Sequence, residues 1–244
     1  MVDRALIEEL SDSETALLCN AMSALELSEP HTYYMDGTIQ CLTPELPPLV
    51  AQAITIKVDT CTPGKAGNPG PFQELQRQAA EISVPLVVVA ETTSGTPMRE
   101  CVMGDGMAKG FMATGIQGLV TDGGVRDMPG IAAQGFRVFA VGRVVQHGNL
   151  HWSELNAPVS VGGITVNNGD LIHADEGGCI VVPKENHLYI AEACRLVQRF
   201  EKEAHTMIRR SDLSIEQKTK EMERIGGAHM VRIAQLKKTS IANN

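Results

Sequence analysis

Four apolar runs, Ala53–Val58, Val84–Ala90, Gly118–Thr121 and Arg137–Val141, show little of the polar alternation of a half-exposed strand. Such near-continuous runs belong to strands covered on both faces, as in parallel sheets packed under helices. Helical periodicity falls between them: Phe72, Leu75, Ala79 and Ile82 step by three and four. From 91 to 136 the pattern reads strand, helix, strand, loop, helix. Beyond Val141 the segments Ile164–Val166, Leu171–His173 and Cys179–Val182 are separated by Gly162-Gly163, Asn168-Gly169 and Gly177-Gly178, which predicts a β-rich half. The chain is predicted to be α/β.

Helices bracket this region. Ser11 with Glu14 forms a candidate capping box before Leu17, Leu18, Ala21, Met22 and Leu25 at helical spacing. Ile190, Cys194, Val197, Phe200, Ala204 and Met207 repeat likewise along 186–210, and Ser214 with Gln217 opens a last helix carrying Ile215, Met222, Ile225 and Ile233. The expectation is one α/β domain over 1–183 and a helical extension over 184–244. Whether the extension folds back or packs on a neighbouring subunit stays open at this level.

The 244 residues suit one domain with a sizeable core. A net charge of -8, from 21 basic and 29 acidic residues without a basic cluster, argues against nucleic acid and anionic membrane as partners. No apolar run reaches the roughly 18 residues of a membrane helix. The acid-rich start resembles neither a signal nor a transit peptide, so a cytoplasmic location is expected. Six cysteines (19, 41, 61, 101, 179, 194) without a C-x-x-C pair are expected as free thiols.

The stretch most suggestive of chemistry is 103–130. The strand Gly118–Thr121 runs into Asp122-Gly123-Gly124-Val125, then Arg126-Asp127, then Pro129 opening a helix. Arg126 and Asp127 therefore lie beyond the carboxyl end of a strand, where α/β sheets place ligands. Adjacent residues seldom face one another, so the two are not expected to be a simple internal pair. Asp105 stands at a Gly-rich helix entry. Both aspartates would equally serve as helix N-caps, which would explain them without chemistry. Gly104-Asp105-Gly106 opens like a dinucleotide fingerprint, but the third glycine, Gly110, comes one residue late. His147 and His151 are four apart, a metal-binding spacing on a helix, yet Gly148-Asn149 predicts a loop and hence two surface histidines.

Asp105, twenty intervening residues, then Arg126-Asp127 resembles the D-x20-R-D signature of the family of RraA and the 4-hydroxy-4-methyl-2-oxoglutarate aldolases. Thr15–Leu25, Gly115–Val125, Asn156–Gly163, Asn168–Asp175 and Gly178–Pro183 are similar to further family segments, so the resemblance covers roughly 12–210. Three features depart from the pattern: Gly106 where a bulkier aliphatic residue is usual, Asn20 where an Asp is common, and the helix after Ser214.

The resemblance implies an α-β-β-α sandwich of the swivelling β/β/α type, assembled as a homotrimer or a dimer of trimers with interfacial sites. It implies a class II lyase that cleaves a 4-hydroxy-2-oxo acid to pyruvate through an enolate and also decarboxylates oxaloacetate. Asp127 would ligate Mg2+ or Mn2+, Asp105 would reach it through water and hold a base, and Arg126 would contact the pyruvoyl oxygens. Gly104 would line the substrate site, and the N–H groups of Gly106, Met107 and Ala108 would cradle the carboxylate. Glu203, preferred to Glu201, would come from a neighbouring subunit's helix; a solvated helix face is the plain alternative. A hard cation with few protein ligands fits carboxylates, and it and Arg126 would stabilise the enolate charge. A Schiff-base route would need a desolvated lysine, with Lys109 the nearest. The rival reading is an RraA-type protein that binds and inhibits a ribonuclease without catalysis. A methyltransferase role, a label this family has carried, lacks a glycine loop for a nucleoside cofactor.

Overall fold

A computed structural model describes residues 2–241, with side chains as far as Lys238. Met1 and 242–244, at the ends of the two regions expected from sequence, lie outside the described residues. The described chain forms α1 (Arg4–Leu10), α2 (Thr15–Leu25), α3 (Gly70–Ala79), α4 (Asp105–Met112), α5 (Met128–Ala132), α6 (Ile190–Ile208) and α7 (Ile215–Ile241). Its strands are β1 (Gln40–Cys41), β2 (Leu49–Asp59), β3 (Leu86–Thr92), β4 (Cys101–Met103), β5 (Ile116–Thr121), β6 (Gly124–Val125), β7 (Arg137–Ala140), β8 (Gly142–Arg143), β9 (His151–Ser153), β10 (Val159–Val161), β11 (Ile164–Val166), β12 (Leu171–Asp175) and β13 (Gly178–Val182). Contacts divide them into two compact units: residues 1–15 with 31–183, and residues 16–30 with 184–244.

The first unit is built on one sheet of order β1-β7-β5-β3-β2-β12-β13, with β9 also pairing with β2. The central strands β7, β5, β3 and β2 run parallel. Antiparallel β1, β12 and β9 flank them. Side chains alternate with period two. Ile54, Ile56, Val58, Leu86, Val88 and Ala90 face one core, covered by Leu75 of α3, Phe111 of α4 and Ile131 of α5. Ala51, Ala53, Val87 and Val89 face the other, covered by Val159, Val161, Ile164 and Val166 of the β10–β11 hairpin. Both faces are dry, which is why the strands read as continuous apolar runs. The architecture is α/β with a helical C-terminal part, as expected.

A separate sheet of three parallel strands, β4-β6-β8, carries the segments of greatest chemical interest. The path from β5 to β6 turns through Asp122 and Gly123. A Cβ at Gly123 would come within 2.6 Å of Val102 and 2.8 Å of Thr92, so only glycine allows the strands to close here.

The second unit holds α2 after its first residue, Thr15, together with α6 and α7. Asn20 on α2 donates to Glu201 Oε1 on α6 at 3.0 Å, and Lys237 Nζ reaches the Leu25 carbonyl at 2.8 Å. Phe200 on α6 stacks on His229 of α7, ring centroids 4.8 Å apart. The capping box at Ser214 forms as expected: Ser214 N donates to Gln217 Oε1 at 2.9 Å and Gln217 N to Ser214 Oγ at 3.2 Å. The one at Ser11 does not. Ser11 instead closes α1, its hydroxyl donating to the Ile7 carbonyl at 2.7 Å. The Thr15 N–H at the head of α2 is satisfied from afar by Asp175 Oδ2 at 2.7 Å. A long-range carboxylate has taken over the local cap.

Candidate active site

The end of β4, the start of α4, the turn after β6 and the loop from β8 to β9 enclose a cavity of about 340 Å³ in the first unit. Its polar lining is Asp105, Arg126, Asp127 and His147, and its apolar walls include Met103, Met107 and Leu150. The expected trio is thus brought into one cavity. β4 and β6 pair in parallel, with Arg126 N donating to the Met103 carbonyl at 3.0 Å, so the residues after each strand emerge side by side.

Neither aspartate makes a capping hydrogen bond from its side chain. Asp127 occupies the N-cap position of α5 in a left-handed conformation, φ 58°, without a side-chain cap bond. Asp105 is already inside α4, whose N-cap is Gly104. The left-handed turn costs about 1 kcal/mol or more for a non-glycine residue. It also brings Asp127 back on its neighbour: Asp127 Oδ2 lies 3.3 Å from Arg126 Nε. The expectation that adjacent residues would not face each other is corrected by this turn. Even so, Arg126 Nε is buried and makes no hydrogen bond.

Asp105 Oδ2 pairs with Lys109 Nζ at 2.9 Å, one helical turn on. This bond, with the Lys109 charge, the Gly106 N–H and the Arg126 charge behind it, holds the Asp105 carboxyl below its usual range. Lys109 itself is exposed and paired, the opposite of the desolvated amine that Schiff-base chemistry requires. Burial pushes the Cys101 thiol up, so that wall group stays protonated.

The expected carboxylate cradle is altered. Met107 N and Ala108 N both donate to the Gly104 carbonyl, at 3.1 and 3.2 Å, closing the first turn of α4. Gly106 N–H supports Asp105. Ala108 is fully buried and lines no part of the cavity, whereas Gly104, Gly106 and Met107 do. Glu203 belongs to the second unit, where it pairs with Arg199 at 2.9 Å and approaches Arg232 at 3.8 Å. The Arg199 bond, opposed by some burial and helped by Arg232, lowers its pKa. Glu203 lines a different cavity, of about 820 Å³, between α6 and α7.

Neither His147, expected as a surface histidine, nor Leu150 was expected at the site. Only the β8–β9 loop brings them there. His151 is not the partner of His147: it sits on β9, with Nδ1 2.9 Å from the Ala66 carbonyl. Among the described residues no three His, Cys, Asp or Glu side chains group as a metal cage. What the cavity offers a cation is two carboxylates, Asp105 and Asp127. Gly104 lets Asp127 and Arg126 come together, because a Cβ there would lie 2.7 Å from Asp127 Oδ2 and 3.2 Å from Arg126 Nε. An oxygen-only pair of this kind suits a hard divalent ion that keeps most of its water. Among the described residues no helix is long and apolar enough to cross a membrane.

Comparison with known proteins identifies the family. A protein of Halalkalibacterium halodurans provisionally named a 4-hydroxy-4-methyl-2-oxoglutarate aldolase is 38% identical over 80 residues, 32% of this chain and 37% of that protein. Protein DlpA of Legionella pneumophila is 34% identical over 86 residues, 34% of this chain and 14% of that protein. The chain thus spans well under two thirds of the length of these curated relatives. Among solved structures, Streptomyces coelicolor RraAS2, described as an unusual member of the RNase ES inhibitor RraA family, superposes with a TM-score of 0.66. That likeness covers 82% of this chain and 96% of RraAS2 at 22% identity, and it speaks for the fold alone. Residues 15–181 match the RraA-like family, aldolase/RraA, and the chain belongs to that family.

Proposed function

We propose that the chain is a carbon–carbon lyase. It would cleave a 4-hydroxy-2-oxo acid to pyruvate and a carbonyl compound and decarboxylate oxaloacetate in the same cavity, with Mg2+ or Mn2+ as cofactor. The observation that carries the reading is the convergence of Asp105, Arg126 and Asp127 on one cavity, with Arg126 and Asp127 meeting over Gly104 and Arg126 Nε buried without a hydrogen bond. Its partner is the Asp127 carboxylate in an ion pair at 3.3 Å that falls short of a hydrogen bond, which leaves the N–H able to donate to an anionic ligand.

Asp127 and Asp105 would hold the cation, which when bound supplies a Lewis acid to the 2-oxo group. Arg126 offers the substrate a guanidinium whose charge opposes the negative charge that grows as the C–C bond breaks. The amino end of α4 adds a partial positive charge beside Gly106. Met103, Met107 and Leu150 line the apolar side of the cavity. Glu203 of a neighbouring subunit would complete the site in a homotrimer, and to do so it would have to share or leave its ion pairs with Arg199 and Arg232.

The names of several relatives as 4-hydroxy-4-methyl-2-oxoglutarate aldolases support this reading. The rival, a regulator that binds a ribonuclease without catalysis, gives no use to the strained Asp127 and its ion pair with Arg126. The test is pyruvate release from oxaloacetate and from 4-hydroxy-2-oxo acids, first with EDTA and then with Mg2+ or Mn2+ restored. Activity that disappears with chelator and returns with metal supports the lyase. No pyruvate from either substrate class overturns it.

A further inference from the structure

We infer that His147 is the general base that takes the 4-hydroxyl proton in aldol cleavage. The inference rests on the lyase reading and assigns a step that Asp105, Arg126 and Asp127 leave without a free base. Asp105 is engaged by Lys109 at 2.9 Å, and Asp127 lies 3.3 Å from Arg126.

His147 shares the cavity with all three. Its Nδ1 is 2.8 Å from the Gly148 carbonyl. A carbonyl oxygen only accepts, so Nδ1 carries the proton in the neutral ring, and Nε2 is left as the lone-pair nitrogen. No bond to Nε2 occurs among the described side chains or backbone groups.

The backbone that follows the ring is also held in place. Gly148 N donates to the Thr60 carbonyl at 3.0 Å, and a Cβ at Gly148 would collide with that oxygen. Asn149 Nδ2 donates to the Lys65 carbonyl at 3.1 Å. Thr60 N in turn donates to Glu100 Oε2 at 2.7 Å, and Glu100 is fully buried. Asp59, also buried, ties down the same loop through Cys61 N, Thr62 and Lys65. A half-buried histidine followed at once by two anchored residues is a pre-positioned group rather than a free surface side chain.

In cleavage the 4-hydroxyl proton passes to Nε2. The O–H electron pair becomes the new C4=O bond, the C3–C4 bond breaks, and its electrons move onto the pyruvate enolate, which is then protonated at C3. Oxaloacetate decarboxylation forms the same enolate by loss of CO2 and has no hydroxyl proton to remove. The two reactions should therefore separate on this residue.

The experiment compares wild type with His147→Asn and His147→Gln on both substrates. Asn keeps a donor for the Gly148 carbonyl and removes Nε2. The expected result is a fall of at least 100-fold in kcat for cleavage, with decarboxylation changed less than threefold. Equal losses in both reactions in a variant whose circular dichroism matches wild type, or no loss in cleavage, overturn the assignment while leaving the lyase reading standing. A wild type inactive on both substrates removes the lyase reading itself. If Asn perturbs folding, decarboxylation falls too, and His147→Gln, with circular dichroism and retained decarboxylation as its folding control, decides the matter on the same criterion.

Discussion

Gly104 and Asp127 approach so closely that only a hydrogen fits between them: a Cβ at Gly104 would lie 2.7 Å from Asp127 Oδ2 and 3.2 Å from Arg126 Nε. The φ of Gly104, -128°, is open to any residue, so space rather than backbone strain demands glycine. Gly104→Ala is therefore expected to push both charged side chains aside while α4 still forms. Pyruvate release should drop at least 100-fold, with a thermal midpoint within a few degrees of wild type. Retained activity would show that the two side chains need not meet over Gly104.

Asp127 and Arg126 should fail differently. Asp127→Ala is expected to abolish metal-dependent turnover and metal binding by calorimetry. Arg126→Ala should keep the fold and the metal and lose most activity, because it removes a charge from the substrate rather than from the cation. Full activity in the Asp127 variant would sink the proposed chemistry.

Asp122 makes stability depend on pH. Burial raises its carboxyl to about 6, against the hydrogen bond from Thr92 N at 2.8 Å that lowers it. A folded value above the unfolded one means that its contribution is full below about pH 4 and is lost as pH rises through about 6. Asp122→Asn keeps an acceptor for Thr92 and removes the charge. It should gain about 1–3 kcal/mol over wild type at pH 7, with the gain shrinking towards pH 4 in urea titrations.

Phe111 on α4 is buried, with its ring centroid 5.4 Å from Phe72 and 6.1 Å from Phe136. Phe111→Ala would leave a cavity under the helix that carries Asp105, at a cost of about 3–5 kcal/mol. Denaturant unfolding should show that loss. A change below about 1 kcal/mol would mean that the three rings repack freely.

How much was legible before the fold follows from range. Ala53–Val58 and Gly118–Thr121 announced a doubly covered sheet because burial on both faces writes itself directly into composition. The Ser214 box was readable because both its partners sit within one turn. The Ser11 box was not, since Asp175 competes for α2 from 160 residues away. Asp105, Arg126 and Asp127 could be grouped through a spaced signature. His147 could not, because its place depends on Gly148 meeting Thr60. The N–H groups of Met107 and Ala108, expected to cradle a carboxylate, also meet a local acceptor, the Gly104 carbonyl at the head of the same turn.

Glu100 lines no part of the cavity, yet its carboxylate takes Thr60 N and Ser94 N while its own carbonyl takes Gly124 N. One buried side chain thus sets the position of Thr60, hence of Gly148 and His147, and its backbone steadies the strand leading to Arg126. A library that varies only the cavity walls would leave this hub untouched. A single change at Glu100 would detune both sides of the cavity at once and read in a screen as an active-site mutation.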